Sequence, residues 1–289
     1  NYQLEGNSQF YSYSLKLWEG LEADLNYNVM HSQRGLINLF HSDGQRDAFV
    51  RRGNMMINQG DDAILLDREG CRKLLPYLDY EQTRFPIYGG LYHPRGGTAR
   101  HDAVAWGYAR GADRRGVDLI QQCEVTGIDI VGGRVTGVQT SRGAIRAKKV
   151  GIVVAGRSSQ VAAMAGMRLP IESHVLQAFV TEGLKPVIDH VISYGMGHFY
   201  ISQSDKGGLV FGGDLDFYAS YAARGNLPMA EHVAEAGMSL MPMIGKARTL
   251  RSWGGIMDMS PDGSPIIDRT DIEGLYLNCG WCYGGFKAV

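Results

Sequence analysis

Cysteine is scarce, four in 289 residues. That is too few for the disulfide framework of a small secreted domain, so a reducing, cytoplasmic setting is expected. Neither sign of charge is in excess: 29 Lys and Arg against 30 Asp and Glu leave a net charge of −1. This balance excludes nucleic acid or an anionic membrane surface as the main electrostatic partner. No apolar run approaches the length of a membrane span, and no basic-then-apolar segment opens the chain. No internal repeat or low-complexity linker occurs either.

Several motifs that carry chemistry are also missing. No G-x-G-x-x-G follows a strand, so the usual pyrophosphate fingerprint is absent. Without a G-x-S-x-G elbow, the simplest hydrolase reading falls. The eight histidines, at 31, 41, 93, 101, 174, 190, 198 and 232, form no HxH or HxxxH pair, so no metal site is expected. What is abundant is glycine, 39 residues, nearly double the roughly 7% of average proteins. No G-X-Y period accompanies it, so these glycines mark tight turns and close approaches of backbone to a ligand. The length allows one large domain or two ordinary ones. Asn1 is not Met, and Val289 closes a Gly-rich stretch where a helix should start, so both ends read as cut.

Periodicity predicts the elements. A helix over 9–25 presents Phe10, Tyr13, Leu17, Trp18 and Leu21 on one face. A strand over 35–40, a charged helix over 46–56 and a short helix over 67–75 follow, the last capped by Asp67 and stopped at Pro76. The GGLYHPRGG run, 89–97, reads as a glycine-flanked loop. The helix over 101–115 carries Ala105, Tyr108, Ala109 and Ala112 as a small-residue face, ends at Gly116, and precedes a strand over 117–120. A β-meander covers 125–147, and the apolar run 150–156 reads as a strand buried on both faces. The period then shifts to two over 174–218, with an amphipathic helix over 229–241, a loop over 258–268 and a strand over 275–277.

Two constellations stand out. Cys279-Gly280-Trp281-Cys282 is a CxxC, but five of the six residues from 280 to 285 are glycine or aromatic. Two cysteines in a glycine loop suited to a flat ligand are favoured over a redox pair or a zinc site. His101 opens a helix just after Arg95 and Arg100, and helix starts with nearby guanidinium groups suit phosphate.

The run 90–110, GLYHPRGGTARHDAVAWGYAR, resembles the β subunits of heterotetrameric sarcosine oxidases, within the D-amino-acid-oxidase-like flavoproteins. The blocks 123–128, 153–156, 260–266 and 280–287 match in the same order, over essentially the whole chain. The resemblance implies an α/β fold in two interleaved domains. Residues 1–12, 95–172 and 261–289 would belong to a Rossmann-like flavin-binding domain lacking its first βαβ unit. Residues 13–94 and 173–260 would form a substrate domain on a mixed or antiparallel sheet. It further implies oxidation of sarcosine to glycine and a one-carbon unit, formaldehyde or methylenetetrahydrofolate. Non-covalent FAD would take the electrons and pass them to FMN and then oxygen, giving H2O2.

Site residues follow from the same likeness. His101 stands at the position of the covalent FMN histidine, with Arg95, Arg100 and Asp102 beside it. Val125 matches the residue that meets the FAD adenine. Gly156, Gly280, Cys282 and Gly285 line the flavin, and Lys287 lies at the position near flavin and substrate carboxylate, a catalytic role. Partners would be α, γ and δ subunits, with NAD and tetrahydrofolate on a partner. The aligned position of a flavin-linking cysteine in a monomeric relative is Trp253-Gly254-Gly255-Ile256, without a thiol, which fits non-covalent FAD. The alternatives are a related FAD-dependent secondary-amine or D-amino-acid dehydrogenase or oxidase, a flavin-free fragment, or a thiol–disulfide protein.

Overall fold

The computed structural model describes residues 4–288. The ends read as cut, Asn1 and Val289, and with them the outermost parts of segments 1–12 and 261–289, lie outside the described residues. Helix α1 (Glu5–Leu25) buries Ser8, Ser14, Trp18, Leu21 and Leu25 and stops at Asn26 in the left-handed region, φ 47°. Of the apolar face read from sequence, Trp18 and Leu21 point inward, whereas Phe10 and Tyr13 are 42% and 63% exposed. Steps of three and four from Ser14 define the packed line, and a serine there hides it from a search for apolar residues.

β1 (Ser32–Gln33) and β2 (Leu36–Phe40) precede α2 (Asp43–Asn58), where the Ser42 side chain accepts the Gln45 N–H. β3 (Ile64–Asp67) leads into α3 (Arg68–Leu74), capped as expected by Asp67, which accepts the Gly70 N–H at 2.7 Å. The expected loop at 89–97 is in part a strand, β4 (Gly89–His93), followed by the short β5 (Gly97–Thr98). Its glycines are strand glycines: a Cβ on Gly89 would collide with the Leu66 carbonyl and the Phe40 ring.

Helix α4 (His101–Asp113) buries Ala103, Val104, Gly107 and Gly111, not the face expected at 105, 108, 109 and 112. Gly107 and Gly111 let Leu25, Tyr27 and Val29 approach its backbone, so these two glycines are the contact. Residues 117–120 form no strand. Val117, Leu119 and Ile120 are each about half exposed, and no neighbouring strand accepts them among the described residues.

β6 (Val125–Val131), β7 (Arg134–Thr140) and β8 (Gly143–Arg146) make the antiparallel meander read from sequence. β9 (Val150–Ile152) is shorter than the apolar run, and Val153 and Val154 are 63% and 40% exposed. It lies at the edge of its sheet, so the two-faced burial expected of it fails. After α5 (Ser158–Ala163) come β10 (Glu172–Gly183), β11 (Val191–Tyr194), β12 (Phe199–Gln203), β13 (Gly208–Leu215) and α6 (Leu227–Leu240). β14 (Thr249–Met259) is hidden in the sequence because Gly254 and Gly255 interrupt its pattern; β15 (Ile266–Arg269) and β16 (Leu275–Cys279) end the chain's strands.

Eight strands form one sheet in the order β14-β10-β13-β12-β11-β2-β4-β3, antiparallel except where β11 meets β2. Its core face carries Ile37, Leu39, Ile192, Ile201, Leu209 and Phe211 against α6. Each such side chain, fully buried, contributes about 1.5–3 kcal/mol. A three-stranded sheet, β15-β16-β9, shares a second core of Ile152, Leu275, Leu277 and Cys279 with Ile128 and Val135 of the meander. No helix among the described residues is long and apolar enough to cross a membrane.

Candidate functional site

β9 and β16 run parallel, Leu275 opposite Val150 and Leu277 opposite Ile152. Their carboxyl ends therefore open on the same edge, the place where α/β sheets bind ligands. From β9 the chain passes exposed Val153 and Val154 to Ala155, left-handed at φ 46°, and Gly156. A side chain on Gly156 would strike Ile256 of β14, while its carbonyl accepts the Ser173 hydroxyl at 2.7 Å. From β16 the chain turns at Gly280, φ 68°, whose N–H donates to the buried Asp258 carboxylate at 2.6 Å.

A 3-10 turn, Cys282–Lys287, follows. Cys282 begins it with φ 50°, and its sulfur accepts the Ser260 N–H at 3.3 Å. Cys279 faces the core, and burial, then the Asp258 charge, pushes its thiol up. Both thiols are free. The CxxC therefore opens a 3-10 turn rather than the α-helix a thioredoxin-type pair requires, in keeping with the glycine-loop reading.

Helix α1 seats this loop. The Tyr11 hydroxyl fills the space where a Gly284 side chain would be. Phe10 packs on Trp281 at 5.7 Å and Trp18 on Phe286 at 5.5 Å between ring centroids. The Trp18 indole N–H donates to the Lys287 carbonyl at 3.1 Å, and Lys287 itself is exposed. Gly156, Gly280, Cys282, Gly285 and Lys287 thus share one edge. An open cavity of about 960 Å³ runs beside it along Ser159, Arg168, Glu172 and Ser260.

The second group gathers at the start of α4. His101 is exposed there. Arg100 grips Asp102 with two bonds of 2.8 and 3.0 Å, and this pair holds the Asp102 carboxyl below its usual range. Arg95 grips Glu19 of α1 at 2.9 and 2.8 Å and lies 3.9 Å from the buried Asp61, which also accepts the Ser12 hydroxyl. Gln33 and then Arg95 lower the Glu19 carboxyl, against burial. Both arginines that the sequence offered to a phosphate therefore already have carboxylate partners. Val125 opens β6 opposite Thr140, in the meander sheet. Helix α1 touches both groups, through Leu25 against Gly107 and Gly111 and through Trp18 against the Lys287 loop.

Sequence reasoning missed Asp258, Ser260, Tyr11 and Trp18 as supports of the loop. Asp258 lay in a stretch read as a loop, and its burial was the only signal, one that needs the structure.

A crevice of exposed valines beside glycines, at the carboxyl ends of parallel strands, fits a flat aromatic cofactor. The model of the family described as FAD dependent oxidoreductase matches residues 2–289. The chain is 69% identical over 289 residues to "Sarcosine oxidase subunit beta" of Rhizobium meliloti, covering all of this chain and 70% of that protein. It is 44% identical over 290 residues to the protein of that name from an Arthrobacter species, covering 72% of it. Among solved structures, L-proline dehydrogenase of P. horikoshii superposes with a TM-score of 0.91 at 24% identity, over 100% of this chain and 77% of that one. Glycine oxidase of Geobacillus kaustophilus gives 0.84 at 20% identity, over 97% and 74%. These two share the fold. Two parallel strands that end in a glycine-rich turn, the family match and the 69% relative agree: this chain belongs to the FAD-dependent oxidoreductase family.

Proposed function

We propose that this chain is the amine-oxidising flavoprotein subunit of a multi-subunit sarcosine oxidase. The observation that carries the reading is the loop Gly280–Lys287, raised at the carboxyl end of β16 beside Gly156 and clamped by α1. Bound FAD would supply the two-electron acceptor for oxidation of the substrate's C–N unit. The chain supplies the setting. Gly156 lets the end of β9 close against Ile256 of β14, Gly285 sits against the Trp281 side chain, and Gly280, fixed by Asp258, aims the turn. Lys287 supplies a cation for an amino-acid carboxylate or a reduced-flavin anion. Its carbonyl, tied to Trp18, holds that end of the turn against α1.

The division into a flavin domain (1–12, 95–172, 261–289) and a substrate domain (13–94, 173–260) belongs to this reading. So does FMN joined to His101, with α, γ and δ subunits as partners and NAD and tetrahydrofolate held outside this chain. The exposure of His101 at the start of α4 supports a group attached there. The Arg95–Glu19 and Arg100–Asp102 pairs argue that an incoming phosphate has to open an ion pair first. A 30% identical relative, "D-amino acid dehydrogenase" of Cereibacter sphaeroides, covers 93% of this chain and supports the neighbouring reading.

Anaerobic reduction of the purified complex by sarcosine, compared with D-alanine, decides between the two. Lys287→Met should lower kcat/KM for sarcosine about a hundredfold or more while the melting midpoint holds, because a preorganised charge is worth about 2.7–4 kcal/mol. Unchanged turnover would make Lys287 a bystander. For His101, peptide mass mapping of the complex should find a flavin adduct on the peptide containing it, lost in His101→Asn. An adduct elsewhere, or none, overturns the FMN assignment.

A further inference from the structure

The large sheet has a second face. Its register sets Asn38 beside Ser193, Ser193 beside Tyr200, and Tyr200 opposite Gly212. Since side chains alternate, this row lies opposite the face that carries Ile37, Ile192, Ile201 and Phe211. It is polar, and the Tyr200 hydroxyl reaches over Gly212, where a Cβ would stand 2.5 Å from it.

One step further along β13 is Asp214. Leu176 pairs with Leu215 and Ala178 with Gly212, so β13 carries one extra residue there, a bulge at Gly213 and Asp214. Bulges re-aim side chains, often beside active sites. The re-aimed carboxylate lies 3.7 Å from His198 Nδ1, with side chains 17% and 61% exposed respectively. His198 is itself left-handed at φ 46°, and Gly213 gives its carbonyl the room to be so. From the C-terminal turn, Tyr283 comes within the field of Asp214, which adds to burial in raising the phenol. Tyr283 belongs to the same turn as Lys287. A structural surface pair between His198 and Asp214 needs neither a bulge nor a left-handed histidine.

A small amino acid at neutral pH carries one charge of each sign. We propose that Asp214 receives the amine nitrogen of the substrate, with His198 positioning the Asp214 carboxylate, while Lys287 takes the substrate's acid group. This rests on the amine-oxidase reading above and adds the residue that recognises the amine.

The test uses the intact, flavin-loaded complex and two ligands. Sarcosine has both charges; methoxyacetate keeps the acid and replaces the nitrogen by an ether oxygen. Asp214→Asn should raise the KM for sarcosine about tenfold or more, as for a lost hydrogen bond to a charged group. The Kd of methoxyacetate, read by calorimetry and by the flavin's visible spectrum, should stay within about twofold, whereas Lys287→Met weakens both ligands. Equal losses for both ligands in Asp214→Asn, or no loss for sarcosine, overturn the proposal. If Asp214→Asn does not assemble, Asp214→Glu decides: it retains the charge but displaces it, so sarcosine alone should bind less well. A wild-type complex that neither is reduced by sarcosine nor responds to methoxyacetate instead overturns the amine-oxidase reading.

Discussion

A methyl group added at Gly156 has nowhere to go. It would collide with Ile256 Cγ2 and stand 2.5 Å from the Ile256 carbonyl oxygen, and the backbone of β14 cannot step aside without opening the sheet. Gly156→Ala is therefore expected to lower stability by about 1–3 kcal/mol, measured as a fall in the urea midpoint with unchanged slope. An unchanged midpoint would show that β14 yields. The glycine itself was legible, as the end of an apolar run. The residue it makes room for was not, because Ile256 belongs to a distant strand. Asp258 and Gly280 repeat the pattern: the sequence shows a glycine that bends the chain, and only the fold shows the buried carboxylate that fixes the bend.

At the scale of elements, local chemistry was the most legible. Asp67 caps α3 as its position before the helix required, and the meander expected over 125–147 forms, turning at Gly132-Gly133 and at Gly143, all with positive φ. Glycine inside elements misled. It hid β4 and β14, and it reversed the face of α4, where Gly107 and Gly111 are the packed side rather than gaps in one. A propensity argument counts their weak helix and strand preference and misses the close approach they permit. Helix α6 offers a test of the local rules. Asn226 accepts the Met229 N–H at 2.9 Å and donates to the buried Asp216 at 2.7 Å. Asn226→Ala removes a cap and strands a buried carboxylate, so a loss of about 1–2 kcal/mol is expected. Asn226→Asp, which keeps the cap but sets two carboxylates together, should not recover it.

For the molecule as a whole, acid is the informative perturbation. Burial lowers the pKa of His31, His41 and His93 below the ordinary 6.5, because the folded state disfavours their charged forms. Desolvation is the leading cause in each case, opposed at His31 first by the Glu22 charge, at His41 by the Pro86 carbonyl and at His93 first by the Asp61 charge. A depressed folded pKa means that the unfolded chain binds more protons, so stability is fully present above the unfolded value and falls as pH drops through 6.5. The urea midpoint should therefore be lower at about pH 5.5 than at about pH 7.5, before the carboxylates titrate. A flat midpoint over that window would show that these histidines protonate without cost in the folded protein. Below 4.5, the ordinary Glu value, the unfolded chain takes up a proton that Glu19 in the folded protein still refuses. The contribution of Glu19, held by Gln33 and then by Arg95, then declines, and it is gone once pH falls below the depressed folded value.

The parallel junction in the large sheet has a consequence for synthesis. Val191–Tyr194 lies on Leu36–Leu39, so the strand that completes the middle of the sheet is encoded far downstream of the one it joins. At the usual pace of translation the ribosome needs on the order of ten to thirty seconds to deliver it. During that interval β2, β3 and β4 can fold into a three-stranded leaf, but the outer edge of β2 stays open, with unsatisfied amides and the side chains of Ile37 and Leu39 uncovered. A nascent chain in this condition is a template for stray strand pairing. Its yield in a cell should therefore depend more on chaperone supply and elongation rate than the stability of the finished protein suggests.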